Sequence, residues 1–425
     1  AIAQLKPWVD AAPRPDDRLP PDSRDRIIAE LQPAIALIRA GAAKPRLGFI
    51  PTNTLDPELE RLQSANRGIP AHEIKAADPN PPLLTVVLPH LSEVRRFAQI
   101  LTADAAVASD LHEPARVLAD VRALVGLARQ TREPAMIIMD YSSARIFEQA
   151  ITSASEAIAA HPSDWSSDLL AELAVVLATW SPDAAAPAAL NLERDIFLDL
   201  VQRFFTDDGN GDGIVTNQGV QWFDDRTLDG PANSPVSDAF AAAGLARRQE
   251  TLAEYDRLYE MLVATFDEPV RGAPQSAYMR AQNALNTSRV DRRKFRHVLM
   301  HLPIASYADK VQQWTCARAG ARGGLALIRW RLDHPDAPAP RSWSDVIPRY
   351  IESAPEDWAD GAPLRFKETD GRFIVYSLGA DRDDDRGTPS SPHSAAAKPP
   401  RPHDPALNDD PPADGDWILW PAHSR

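Results

Sequence analysis

Most prolines of this chain fall between its apolar stripes, and that placement restricts it to helices joined by frequent breaks. Inside a helix, proline lacks the N–H donor and its ring clashes with the carbonyl four residues back. Proline makes up 39 of 425 residues, about 9% against a typical ~5%. Glycine is scarce, at 19.

Reading between the breaks, Ile27, Ile28, Leu31, Ile35, Leu37 and Ile38 recur at helical spacing and predict a helix over Ser23–Ala42. Four more are predicted over Leu84–Ser109, Pro114–Arg132, Ala135–His161 and Ser166–Trp180. Breaks separate them at His112–Pro114, Glu133–Pro134 and His161–Ser163. Small residues crowd these helices, and short connections favour antiparallel neighbours. A further block holds helices over Leu192–Phe205 and Val236–Phe266 and a long helical region, Ser288–Leu332, interrupted at Pro303. No repeat of fixed period is present, so the pattern is that of a multi-helix bundle or solenoid-like helical hairpins.

After Asp333 the character changes. Pro363–Glu368 and Arg372–Leu378 alternate as strands around Asp370-Gly371, a strong hairpin signal. Arg382–Ala413 is rich in Asp, Pro and Ser and reads as a flexible excursion. A two-stranded hairpin alone is marginal in water, so either the long helix before Asp333 supplies an apolar bed or Asp416–Trp420, apolar again, adds a closing strand. The fold class is therefore mainly α with a small C-terminal antiparallel β element. The expected division is an irregular wrapping segment over 1–82, helical hairpins over 83–191, a second helical block over 192–332 and an α/β tail over 333–425.

The net charge of −14 argues against a general nucleic-acid or anionic-membrane binder. A single cysteine, Cys316, excludes an intramolecular disulfide and any multi-thiolate cluster. It is expected to be a buried, inert thiol. No uncharged run reaches the ~18 residues of a membrane helix. The chain opens at Ala1 without Met and shows no signal peptide, which fits either a processed product from which an anchor or signal segment is missing or simple loss of the initiator Met before a small residue.

Local chemistry concentrates in Asp207–Gly219, DDGNGDGIVTNQG. With Asp208 at position 1, an EF-hand-like loop places Asp208, Asn210 and Asp212 at 1, 3 and 5, and Gly213 at the turn. It places the Ile214 carbonyl at 7, Val215 at the apolar position 8 and Thr216 at 9. Hard oxygen donors on alternate residues suit a structural Ca²⁺. Position 12 is Gly219 instead of the bidentate glutamate, so Asp224 or Asp225 would have to swing in. The alternative is a solvated Asx-turn loop without metal. His297 and His301 lie four apart but are separated by no glutamate general base, so two helix-surface or packed histidines are the better reading. The cluster Arg289, Arg292, Arg293, Lys294 and Arg296 reads as a solvated face. Ser142 and Ser143 beside Asp140 lack a nucleophile elbow.

The tail carries a resemblance. LALIRWRLDHPDAPAP, WSDVIPRYIESAPEDWADGAPLRF and FIVYSLGADRDDD supply Arg331, Leu332, Asp333, Asp357, Trp358, Gly361, Pro363, Phe366 and Ser377 to Asp381. With Asp416-Trp417, this stretch resembles the distal part of type II secretion major pseudopilins, so the β element is expected to be pseudopilin-like. The resemblance implies a calcium loop of backbone carbonyls and Asp side chains, with candidates Leu378 through its carbonyl, Asp381, and Asp409 or Asp410. Arg382 replaces the usual glycine, and roughly 30 residues intervene before Asp416. The helical body, through LLTVVLPHLSEVRRFAQIL and FLDLVQRFFTDDGNGDG, resembles bacterial envelope proteins with an N-terminal anchor and a DDGNGDG loop.

The expected function is a non-enzymatic exported structural or interaction protein of the envelope, periplasmic or extracellular, with structural Ca²⁺. A protein partner or self-assembly is expected, with no nucleic acid, and membrane contact only through a removed anchor. The alternatives are a component of a type II secretion or pilus-like apparatus and an enzyme of unidentified class, for which fold analogy supplies no chemistry.

Overall fold

The computed structural model describes residues 21–48, 82–83, 88, 90–183, 186–223, 244–266, 294–295, 297–298, 304–379, 382–389 and 415–421. The wrapping loop, Asp224, Asp225, Arg289, Arg292, Arg293, Arg296, His301, Asp381, Asp409 and Asp410 lie outside the described residues.

Among these, the helices are α1 (Pro21–Ala42), α2 (His90–Asp110), α3 (Pro114–Thr131), α4 (Ile137–Ala160), α5 (Ser167–Ala178), α6 (Ala186–Phe204), α7 (Asn217–Phe223), α8 (Arg248–Val263) and α9 (Ile304–Asp333). The strands are β1 (Arg365–Thr369), β2 (Arg372–Ser377) and β3 (Trp417–Trp420). The molecule is mainly α with a small C-terminal antiparallel sheet, as the stripes predict. One contiguous apolar cluster of buried side chains runs from Ile27 in α1 to Trp420 in β3.

The hairpins α2–α3 and α3–α4 form the centre, α1 lies across α2 and α3, and α5 packs on α3 and α9. Close approach depends on Gly126, where an added Cβ would overlap the Ala42 carbonyl at the end of α1. The last carbonyls of a helix lack intrahelical donors. Here Gln130 Nε2 reaches from α3 to the carbonyls of Gly41 (2.9 Å) and Lys44 (2.6 Å).

Polar groups also bind the bundle from within. Asp104 and Asp120, both fully buried, meet Arg39 of α1 and Arg116 of α3. Asp140 joins Arg132 (2.7 Å) and Tyr307 of α9. Ser143 Oγ donates to the Ala128 carbonyl (2.6 Å) and accepts from Trp180 Nε1 (2.9 Å), so that hydroxyl is occupied in packing.

The sheet order is β1-β2-β3, all antiparallel. Asp370 (φ 51°) and Gly371 (φ 74°) make the tight turn, both in the left-handed region that a two-residue hairpin requires. Phe373, Val375 and Ser377 are buried on one face. The sheet docks on α9, where Gly320 and Gly324 leave room for Leu419 and Trp420 of β3. The helix bed and the closing strand of DWILW are thus both present.

Several boundaries differ from expectation. Helix α2 starts at His90, not Leu84, because Pro89 would otherwise sit in the helix interior. Helix α6 starts at Ala186, six residues before Leu192, and α7 was not anticipated. Helix α8 starts at Arg248, and its end is marked by Glu250 Oε2 accepting from the Arg247 N–H (3.2 Å). Residues 382–389, read as the start of a flexible excursion, are built into the fold: the Asp416 N–H donates to the Thr388 carbonyl (2.9 Å), and Pro389 bridges to Asp416.

Candidate calcium-type acidic loops

The Asp207–Thr216 loop leaves α6 and folds back on it. The Thr206 N–H donates to the Ile214 carbonyl (2.9 Å), the Thr216 N–H donates to the Phe204 carbonyl (2.7 Å), and Phe205 bridges to Val215. Asp207 Oδ1 accepts from the N–H groups of Gly209 (2.8 Å) and Gly211 (3.2 Å). Asp208 Oδ1 accepts from those of Asn210 (2.9 Å) and Asp212 (3.2 Å). Gly209 and Gly211 adopt φ of 87° and 80°, which explains why glycine alternates with the acids there.

Of the expected ligands, Asp208 and Asp212 come together, but on a guanidinium. Arg247 Nε lies 2.5 Å from Asp212 Oδ2, and its terminal nitrogen lies 3.6 Å from Asp208. The Gln249 N–H, in the first turn of α8, donates to Asp212 Oδ1 (3.1 Å). The hydrogen bond from Arg247 holds the Asp212 carboxyl below the usual range; the Gly209 and Gly211 N–H groups do the same for Asp207. The Asn210 carbonyl accepts from Gln249 Nε2 (3.2 Å), and the Thr216 hydroxyl accepts from the Gly219 N–H (3.1 Å) at the start of α7. Gly219 is required by packing: an added Cβ would fall 2.8 Å from Phe204 and 2.7 Å from Val215. A glutamate at position 12 has no room there.

The second acidic site gathers in the tail. Asp357, fully buried, is a hub of the β element. It accepts from Ser377 Oγ (2.6 Å) and from the N–H groups of Ala359 (3.0 Å) and Leu378 (3.0 Å), and pairs with Arg365 (2.8 Å). Leu378 is thereby fixed at the end of β2.

The chain then turns through Arg382 and Arg386, both at positive φ, and the carboxylates of Asp384 and Asp385 approach Asp416. Asp416 is 1% exposed. Its Oδ2 accepts from the Gly387 N–H (2.7 Å), while Oδ1 is buried without a hydrogen-bond partner among the described residues. Burial first, and then the neighbouring Asp384 and Asp385 charges, push its carboxyl up to about 6. Tyr376 Oη donates to Asp384 Oδ1 (3.2 Å). Carboxylate oxygen is the ligand type of Ca²⁺, although the carboxylates of Asp384, Asp385 and Asp416 stand too far apart to share an ion without moving, and Lys367 Nζ donates to the Arg386 carbonyl beside them. Sequence reasoning passed over Asp384 and Asp385 because they sit in a stretch taken as flexible. The signal was their position directly after the SLGAD run.

His297 is buried against α8, with Nε2 2.9 Å from Thr251 Oγ1, which makes it the packed one of the two readings. Cys316 is buried, and burial pushes its thiol up to about 12. No helix among the described residues is long and apolar enough to cross a membrane. A comparison with known proteins finds no matching family, no matching curated sequence and no matching solved structure.

Proposed function

We propose that this chain is a non-enzymatic, exported structural or interaction protein of the cell envelope, whose C-terminal element is tied together by a calcium ion. The observation that carries the reading is the buried Asp416 carboxylate, left with an unsatisfied oxygen beside Asp384 and Asp385. An ionised carboxylate in that position is costly unless a cation or a proton compensates it. Asp416 would hold the ion, with Asp384 and Asp385 drawn in towards it, and the ion would join the segment after β2 to the start of β3. The Asp207–Thr216 loop is the weaker calcium candidate, because Arg247 already supplies positive charge to Asp208 and Asp212. Its role in this reading is to fix α8 against the end of α6. The envelope location and the protein partner rest on the resemblances of the helical body and the tail.

The test is thermal unfolding in calcium and in chelator. A ligand that binds only the folded state stabilises it by RT ln(1 + [L]/Kd), so ~10 mM Ca²⁺ against a Kd of ~10⁻³ M adds about 1.4 kcal/mol. Asp416→Asn should unfold at a higher temperature than wild type in chelator, because a buried charge is gone, and should gain nothing from Ca²⁺. Equal melting of wild type in calcium and in chelator would remove the ion from the proposal. Co-purification from native cells then identifies the partner.

A further inference from the structure

At one end of the central hairpins the α2–α3 turn meets the end of α4. His112 comes from the first, and His161 and Asp164 from the second and the short 3₁₀ turn that follows it, Pro162–Asp164. The imidazoles of His112 and His161 lie with centroids 4.2 Å apart at 61°. His112 Nδ1 is 2.8 Å from Asp164 Oδ2. One ligand atom from each of the three residues lies within 4.8 Å of the others.

The backbone at His112 adds a separate observation. Its N–H bonds the Ser109 carbonyl and the Glu113 N–H bonds the Ala108 carbonyl, so the turn closes α2 in a Schellman arrangement. The residue at its left-handed position is ordinarily glycine, yet here His112 holds φ 59°. Strain of this kind is retained where a side chain is needed.

We propose that His112, His161 and Asp164 form a binding site for a divalent transition metal of the zinc class. Two imidazoles and a carboxylate are the donor set for such ions, whereas Ca²⁺ and Mg²⁺ take oxygen ligands. Ligand atoms around tetrahedral zinc at ~2.0–2.1 Å are about 3.4 Å apart. Drawing the three groups together therefore takes a movement on the order of 1 Å at an exposed turn. Three protein ligands leave one position for water or for a donor from a partner. The metal would staple two successive hairpin ends, and its site is distinct from both acidic loops.

The experiment uses the full chain, stripped with chelator and titrated with ZnCl₂ by calorimetry at about pH 7.5. Excess Ca²⁺ is kept present to fill the oxygen sites. Co²⁺ substitution gives a second readout, since a site with nitrogen ligands and low coordination number shows intense visible d–d absorption. Wild type should bind one Zn²⁺, and His161→Gln and Asp164→Asn should each weaken it at least tenfold. His112→Gly should lose the metal yet melt higher than wild type in chelator, because the left-handed strain is relieved; that separates metal loss from misfolding. Absence of Zn²⁺ binding by wild type, or equal binding by a His112→Gly/His161→Gln double variant, overturns the proposal. The calcium response should persist in the double variant, so the two metal assignments fail independently.

Discussion

Asp120 offers the clearest test of how the helical core balances its charges. Its carboxyl is fully buried between α1, α2 and α3, with Oδ1 accepting from Arg39 Nε (2.8 Å). Oδ2 has no donor among the described residues. Asp104, equally buried, is satisfied by Arg116, by Gln32 (2.8 Å) and by Arg39 (2.7 Å). Two arginines thus face two carboxylates, but their donors are spent unequally. Burial, followed by the Asp104 charge, pushes Asp120 up to about 8, while Arg116 and Gln32 hold Asp104 below the usual range. A proton on Asp120 gives Oδ2 a donor that it can direct at Asp104.

The consequence for stability has a definite sign. In the unfolded chain Asp120 loses its proton near 3.8. Between there and about 8 the folded state holds a proton that the unfolded state does not, so this group's contribution falls as pH rises through that window. Asp104 acts in the opposite sense: its contribution is present above its unfolded pKa and is lost as pH falls through its lower folded value. At 1.36 kcal/mol per pH unit for one proton, Asp120 alone removes on the order of 3 kcal/mol from about pH 5.5 to about pH 7.5. Asp120→Asn keeps an acceptor for Arg39 and places an amide where the proton was. The variant should match wild type within about 1 kcal/mol near pH 5 and exceed it by several kcal/mol near pH 8.5. Urea unfolding followed by far-ultraviolet circular dichroism at four or more pH values measures this. Parallel pH profiles for variant and wild type would refute the shared-proton account.

Other perturbations follow from packing. Gly324→Ala should cost roughly 1–3 kcal/mol by forcing α9 against Trp420, with the loss visible as a lower melting temperature. Asp357→Ala should cost about 1–3 kcal/mol, since it leaves the buried Ser377 hydroxyl and Leu378 N–H without their acceptor while Arg365 keeps Asp360; chemical denaturation midpoints check it. Truncation before Asp416 should lower the melting temperature and raise protease sensitivity within β1 and β2, since β2 loses its partner strand and α9 loses Leu419 and Trp420. Unchanged proteolysis of that hairpin would show that β3 contributes no support.

Elements with a strong local signal were legible in the sequence. The stripe Val117, Val121, Leu124, Val125 and Ala128 marks α3, and all five side chains are buried. Asp370-Gly371 fixed the hairpin, and DWILW its third strand, because turn chemistry and isolated apolar runs act over a few residues. What escaped depends on contacts distant in sequence. The pairing of Asp104 with Arg39 spans 65 residues and that of Tyr307 with Asp140 spans 167, and no local pattern announces either. The start of α2 was misplaced for a local reason: the apolar run of Leu83–Leu88 outweighed Pro89 in the reading, though not in the fold.

The acidic loops divide along the same line. Alternating Asp and Gly at 207–213 mark a tight loop, and its Asx-type bonds join residues two to four apart. The guanidinium that meets the loop comes from Arg247, 35 residues beyond Asp212. Conversely, Asp384 and Asp385 lie in a polar run with no helical or strand period, and only the return of the chain at Asp416 brings a buried carboxylate near them. Asp416 is buried because β3 must cover α9, so the apolar demand of Leu419 and Trp420 carries a carboxylate inward with it. The fold and the proposed cation site would therefore share one origin. An ion at Asp416 would stabilise the docked strand, and weakening the dock by Gly324→Ala should lower calcium affinity as well as thermal stability. Calcium titration of that variant with Kd unchanged from wild type would separate the two.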